Sequence, residues 1–174
     1  MSEGTKTEPE YFRHFTSRRS RVQVVGADRS TKKLLEEALR IRDLSTFDYK
    51  WLIFDKDDND DFNEAILYAE KAGFQCAWSN ESFELWFCLH FIDLRTSVSR
   101  RQYIDILERE IRRYVPEFIY TKGGDVMYDI LRKYGSQEKA VSRAQNLRLN
   151  YSGNDYASQN PCTTVDILVE KLKR

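Results

Sequence analysis

The chain is predicted to fold as an α/β protein: a mainly parallel sheet of three to four strands flanked by helices, with a helical C-terminal half. Three observations carry this. Short apolar or β-branched runs alternate with segments of helical period over roughly the first eighty residues. One of those runs, Trp51–Phe54 (WLIF), passes directly into acidic residues, as a buried parallel strand does at its C-terminal end. From Ser82 onward the period is that of helices.

Taken in order, Thr7 can cap a first helix, with Pro9 in its first turn and Glu10 completing a capping box. Arg21–Ala27 (RVQVVGA) is a β-branched run and reads as a strand. Ser30 caps a helix whose apolar positions are Leu34, Leu35, Ala38, Leu39 and Ile41. After the WLIF strand, Phe62, Ala65, Ile66, Ala69 and Ala72 share one helical face that stops at Gly73. Phe74–Trp78 is the third strand, and Phe83–Phe91 is a helix apolar nearly all round. Ser99 caps a helix through about Tyr114, with Tyr103, Ile104, Leu107 and Ile111 at helical spacing. Further helices are expected at 122–134, 137–149 and 164–173, the last opened by a Thr163–Asp166 capping box; 150–160 is a polar surface loop. The whole of 1–174 reads as one domain, an α/β core over 1–95 with the helical part, 96–174, packed on it.

Composition excludes several classes. Of 174 residues 41% are hydrophobic and 32% charged, a globular balance. No run approaches the roughly 18 apolar residues of a membrane span, and MSEGTKTEPE has no signal-peptide core. Three dispersed cysteines, Cys76, Cys88 and Cys162, suit a reducing cytoplasm better than a disulfide framework or a zinc site. Formal net charge is zero. Acid is nonetheless in excess over 1–90 and base over 91–174, so any polyanion would be met by one half only.

The acidic excess peaks in WLIFDKDDNDD, 51–61. A strand delivers Asp55 at the sheet edge where open parallel sheets bind ligands, and Asp57, two residues on in extended chain, points the same way. Two convergent carboxylates need a cation or a shared proton, and hard oxygen ligands suit Mg²⁺ or Mn²⁺. The alternative is a solvated loop leading to a helix N-terminus, where Asp is favoured by the dipole; Asp58, Asp60 and Asp61 fit that description, one of them as the cap. A calcium loop fails on spacing, needing Gly at position 60 and Glu at 66.

Four ordered motifs resemble the RloB (AbiLii-like) family of Toprim-type proteins: EGTKTEPEYF at 3–12, FDKDD at 54–58, SNESFELWFCLHF at 79–91 and NPCTTVDILVEKL at 160–172. The resemblance implies a Toprim-like sheet with Glu3, Asp55 and Asp57 as catalytic metal ligands. It further implies a metal-dependent nuclease of bacterial phage-defence, abortive-infection or restriction-linked systems, whose partners are nucleic acid and an ATPase encoded nearby. The family places an apolar strand ahead of its Glu-Gly turn, whereas only Met1 and Ser2 precede Glu3, so that strand is expected to be missing or to lie upstream. A non-catalytic nucleic-acid or ATPase-partner binding module with a degenerate site is the competing expectation, and nucleotidyl transfer would use the same metal ligands.

Within SNESFELWFCLHF, Ser82 caps, and Phe83, Trp86, Phe87 and Phe91 form a core stripe. Glu84 stands out as a carboxylate on an apolar helix: it needs a partner, which either a metal or an arginine would supply, and it is a candidate outer ligand or base. His90 reads as a satisfied core histidine before a catalytic base. On the helix from Ser99, Arg109, Arg112 and Arg113 share a face, and Lys122-Gly123-Gly124 can approach a phosphate. These four cations are candidate nucleic-acid contacts, or else, with Glu108 and Glu110 interleaved, an ordinary solvated face.

Overall fold

In the computed structural model of the chain, the structure describes residues 1–16, 26, 31–56 and 60–173, with backbone only at 31 and 32. The expected strand at 21–27 therefore lies outside the described residues except for Gly26, and the Ser30 cap lies wholly outside them. The elements are α1 (Thr7–Arg13), α2 (Thr31–Leu39), β1 (Trp51–Asp55), α3 (Phe62–Lys71), β2 (Gln75–Asn80), α4 (Glu84–Leu89), α5 (Arg100–Arg112), α6 (Met127–Tyr134), α7 (Gln137–Arg148), β3 (Cys162–Thr163) and α8 (Val165–Lys173). The α/β reading holds, with element centres where the hydrophobic period puts them.

The sheet runs β1-β2-β3, with β1 and β2 parallel and β3 antiparallel to β2. On the other side of β1 lies the N-terminal segment. Met1 O accepts from Ile53 N at 2.8 Å, Glu3 N donates to Ile53 O at 2.7 Å, and Ser2 bridges in parallel to both Ile53 and Gly26. Met1–Glu3 thus pairs with β1, although the strand ahead of the Glu-Gly turn was expected to be missing or to lie upstream. Three residues suffice because a parallel ladder needs only their backbone groups.

Side chains alternate across β1 and β2 and divide the interior in two. Leu52, Phe54 and Trp78 face one core with Leu34 and Ala38 of α2 and Phe62 and Ile66 of α3. Ile53 and Ala77 face the other, which holds α4 and the inner faces of α1 and α5–α8. The helix α4 is buried on every side from Glu84 to Leu89, matching its all-round apolar sequence.

Several caps differ from expectation. Thr7 is the first residue of α1 instead of its cap, and Glu10 pairs with Arg13 at 2.7 Å. Ser82 precedes α4, its Oγ buried without a hydrogen bond among the described residues. Asp61 holds the N-cap position of α3 with no side-chain cap bond. Asp166 turns to Arg148 across the α7–α8 contact, leaving no carboxylate for a box with Thr163. Ser99 does cap α5, in a full box with Gln102. The helix α6 begins five residues later than expected, and β3 was not expected at all.

Candidate active site

Asp55 ends β1 opposite Ser79 of β2. Its backbone N–H donates to Glu3 Oε2 at 3.4 Å, so the Glu3 side chain reaches the same sheet end. Its Oδ2 accepts from Arg100 Nη2 at 3.0 Å. Arg100 is the first residue of α5, held there by the Ser99–Gln102 capping box. Burial, then the charges of Glu8 and Glu84, push the Asp55 carboxyl well above the usual range; the Arg100 guanidinium and the Phe83 amide oppose them.

Glu84 opens α4 and is 4% exposed, with Oε1 accepting from the Tyr120 hydroxyl at 2.8 Å. The partner the sequence demands is thus a tyrosine. That phenol is pushed far up by burial and by the neighbouring Glu84 charge, so it stays a donor.

Glu8 is the residue that sequence reasoning missed. It lies on the inner face of α1 with Tyr11 and Phe12, and Trp86 Nε1 anchors that face by donating to Tyr11 Oη at 3.0 Å. Glu8 is 4% exposed and its Oε2 has no hydrogen-bond partner among the described residues. Burial raises its pKa, followed by the Glu84 charge, while Lys122 and Arg100 pull it down. A carboxylate three and four residues before Tyr11 and Phe12 shares their helical face, which was the available signal; it was hidden because acids are ordinary in a first helical turn.

The charges of Glu8 and Glu84 therefore raise the proton affinity of Asp55, and that of Glu84 raises Glu8's, at one end of the sheet, with Glu3 reaching in from the N-terminal segment. Oxygen-only donors with a net negative charge, one of them orphaned, are the chemistry of a hard-cation site. Among the described residues no three such side chains are close enough to hold a metal ion as they stand. Asp57, expected as a ligand, lies outside the described residues.

The four candidate phosphate contacts separate. Arg112 reaches Glu108 at 2.6 Å and the Phe118 carbonyl at 2.8 Å, and Arg113 and Arg109 reach Glu110 at 2.6 and 3.2 Å. They sit at the far end of α5, about 14–20 Å from Arg100 at 1.5 Å per residue. Lys122 belongs with the acids instead, its charge felt by Glu8. Gly123, at φ 77, makes that possible: a Cβ there would come within 2.5 Å of the Lys6 side chain. His90 is buried and neutral, with its Nδ1 at 3.0 Å from the Trp86 carbonyl, as a satisfied core histidine would be.

Comparison with curated proteins gave no match, and comparison with solved structures gave none. The profile of one protein family, described as RloB-like protein, matches residues 1–172. All four motifs lie within that match, as do the acids gathered at the end of β1; the chain belongs to the RloB-like family.

Proposed function

We propose that this chain is a Mg²⁺- or Mn²⁺-dependent Toprim-type nuclease that hydrolyses phosphodiesters, working in a bacterial phage-defence or restriction-linked system in the cytoplasm. The observation that supports it is the buried Glu8 carboxylate, whose Oε2 has no hydrogen-bond partner among the described residues, drawn together with Asp55 and Glu84 at the C-terminal end of a parallel strand. Burying three mutually repelling acids is costly unless a cation completes them. Glu8 and Asp55, with Glu3 and Asp57, are the residues that would hold the ion, and Glu84 would serve as an outer ligand or base. A divalent ion held there supplies Lewis-acid stabilisation of phosphate charge and an activated water.

The chain's own groups have definable parts in this reading. Tyr120 keeps one Glu84 oxygen fixed by its hydroxyl. Arg100 balances Asp55 through a 3.0 Å ion pair. Lys122, exposed beside Glu8, offers a charge to a phosphate oxygen.

Purified protein incubated with end-labelled DNA and RNA should show cleavage that requires Mg²⁺ or Mn²⁺ and is lost in Asp55→Ala and Asp57→Ala. Asp57→Ala should leave the melting temperature within a few degrees; retained cleavage in that variant overturns the proposal. The Arg100–Asp55 ion pair favours one competing reading, a binding module in which arginine permanently replaces the metal. Calorimetric titration with Mn²⁺ separates the two, because only the nuclease reading requires binding that Asp55→Ala abolishes.

A further inference from the structure

A cavity of about 150 Å³ opens beyond the far end of α4, lined in part by His90, Glu110, Arg113, Tyr114, Tyr134 and Lys139. This volume is several times what one water needs. His90 is 4% exposed and, among the described residues, makes a single side-chain hydrogen bond, from Nδ1 to the Trp86 carbonyl at 3.0 Å. A carbonyl only accepts, so Nδ1 carries the proton, and Nε2 keeps an acceptor lone pair that no described residue uses. Glu110 is held by Arg109 and Arg113 together, so the acid in the wall is already neutralised. Arg113 uses Nη1 on Glu110 while its side chain stays 65% exposed. Lys139 adds a second exposed cation.

Beside these cations stands an aromatic row. Tyr114 and Tyr134 stack with ring centroids 5.0 Å apart and planes within 17°, and Phe91 lies 6.5 Å from Tyr114. The Lys133 ammonium sits 4.9 Å over Tyr134. Tyr114 is 51% exposed. A neutral histidine in the lining of a polar cavity, two exposed cations beside it and a half-exposed aromatic face match the three parts of a nucleotide: sugar hydroxyl or base amine, phosphate, and base.

We propose that this cavity binds one nucleotide unit, with the phosphate on Arg113 and Lys139, the base against Tyr114, and a hydroxyl or amine donating to His90. The proposal rests on the reading of nucleic acid as the ligand, and it adds a second contact point remote from the acids. Arg100 and Arg113 stand about 20 Å apart along α5, which at 3.4 Å per stacked nucleotide is about six nucleotides. A strand lying at Asp55 would therefore reach the cavity with its sixth unit or so.

The test is made in EDTA, so that no cleavage is needed. Anisotropy of a labelled single-stranded oligonucleotide of about twelve residues should show affinity about fivefold or more weaker in Tyr114→Ala and in Lys139→Glu, with Tyr114→Phe near wild type. Lys139→Glu alters an exposed helical position, so it remains informative should Tyr114→Ala fold poorly. Because His14 and His90 are the two histidines of the chain, their imidazole NMR signals separate easily. Adenosine monophosphate moving the His90 signal identifies a free nucleotide as sufficient, and movement with the oligonucleotide alone identifies a strand. Unchanged affinity in both Tyr114→Ala and Lys139→Glu, or a His90 signal that neither ligand moves, overturns the proposal. Loss of strand binding in Tyr114→Ala beside metal-dependent cleavage surviving in Asp57→Ala would sink the nuclease reading and leave this one standing; the reverse pattern would sink this one alone.

Discussion

A Cβ added to Gly4 would lie 2.3 Å from Oε2 of Glu8 and 2.8 Å from its other two carboxylate atoms. The missing side chain at position 4 is thus the space into which the Glu8 carboxylate folds. A methyl group there must push Glu8 out of place, since no real Cβ tolerates such a contact. Gly4→Ala should cost about 1–3 kcal/mol, read as a lower melting temperature. In the proposed nuclease it should also weaken Mn²⁺ binding by calorimetry. Unchanged stability would show that the α1 turn relaxes at no cost.

Glu8 itself predicts an effect of the opposite sign. Its buried charge repels Glu84, and its Oε2 has no hydrogen-bond partner among the described residues. Glu8→Gln removes the charge and brings amide donors toward neighbouring carboxylates, so the metal-free protein should gain stability at pH 7.5. A gain of about 1 kcal/mol raises the melting temperature by roughly 2–4 °C for a domain of this size, within reach of scanning calorimetry. The same variant should lose cleavage. Stability sacrificed for a charged site is the physical signature sought, and a fall in melting temperature would contradict it.

Arg148 and Asp166 form a second buried pair with no role in the acid cluster. Asp166 is fully enclosed, its Oδ2 accepts from Arg148 Nη2 at 2.7 Å, and Arg148 Nη1 also donates to the Thr163 carbonyl at 2.8 Å. One arginine thus fastens β3 and α8 to α7. Arg148→Met leaves Asp166 buried and alone, which should cost about 3–5 kcal/mol. The double variant Arg148→Met, Asp166→Leu should recover most of that loss in urea unfolding. Failure to recover would mean that the Thr163 contact, and not the ion pair, carries the clamp.

Legibility of the fold and of the site followed one physical divide. Where burial imposes a period, the reading was sound: four apolar residues of β1 running into acid located Asp55 at the sheet end, and the all-round apolar α4 made Glu84 conspicuous. Where backbone groups alone decide, no period exists to read. Met1–Glu3 joins the sheet through three residues' amides and carbonyls, and Cys162–Thr163 forms β3 in two residues. Glu8 was obscured for a different reason, since an acid in a first helical turn normally needs no further cause. The α5 arginines were read as one face, but the sequence does not say which cations are taken up by neighbouring acids; Glu108 and Glu110 hold them, whereas Lys122 arrives at the acids through a glycine turn.

His90 sets a pH dependence whose sign can be worked out. Burial, with the Arg143 and Lys173 charges, lowers its pKa from 6.5 to about 4, against the favourable Trp86 carbonyl. Glu110 and Lys139 also line the cavity beside it, the former neutralised by its arginines. Between pH 6.5 and about 4 the unfolded chain carries the proton that the folded chain refuses, so stability rises with pH across that window and is lost on acidification. The contribution is complete above pH 6.5. Gln has no proton to gain, so in His90→Gln the melting temperature should fall less steeply between pH 6.5 and 4.5 than in wild type, whatever its value at pH 7.5. Cooling of the two curves in parallel would mean that carboxylates elsewhere, and not this imidazole, set the acid sensitivity of the fold.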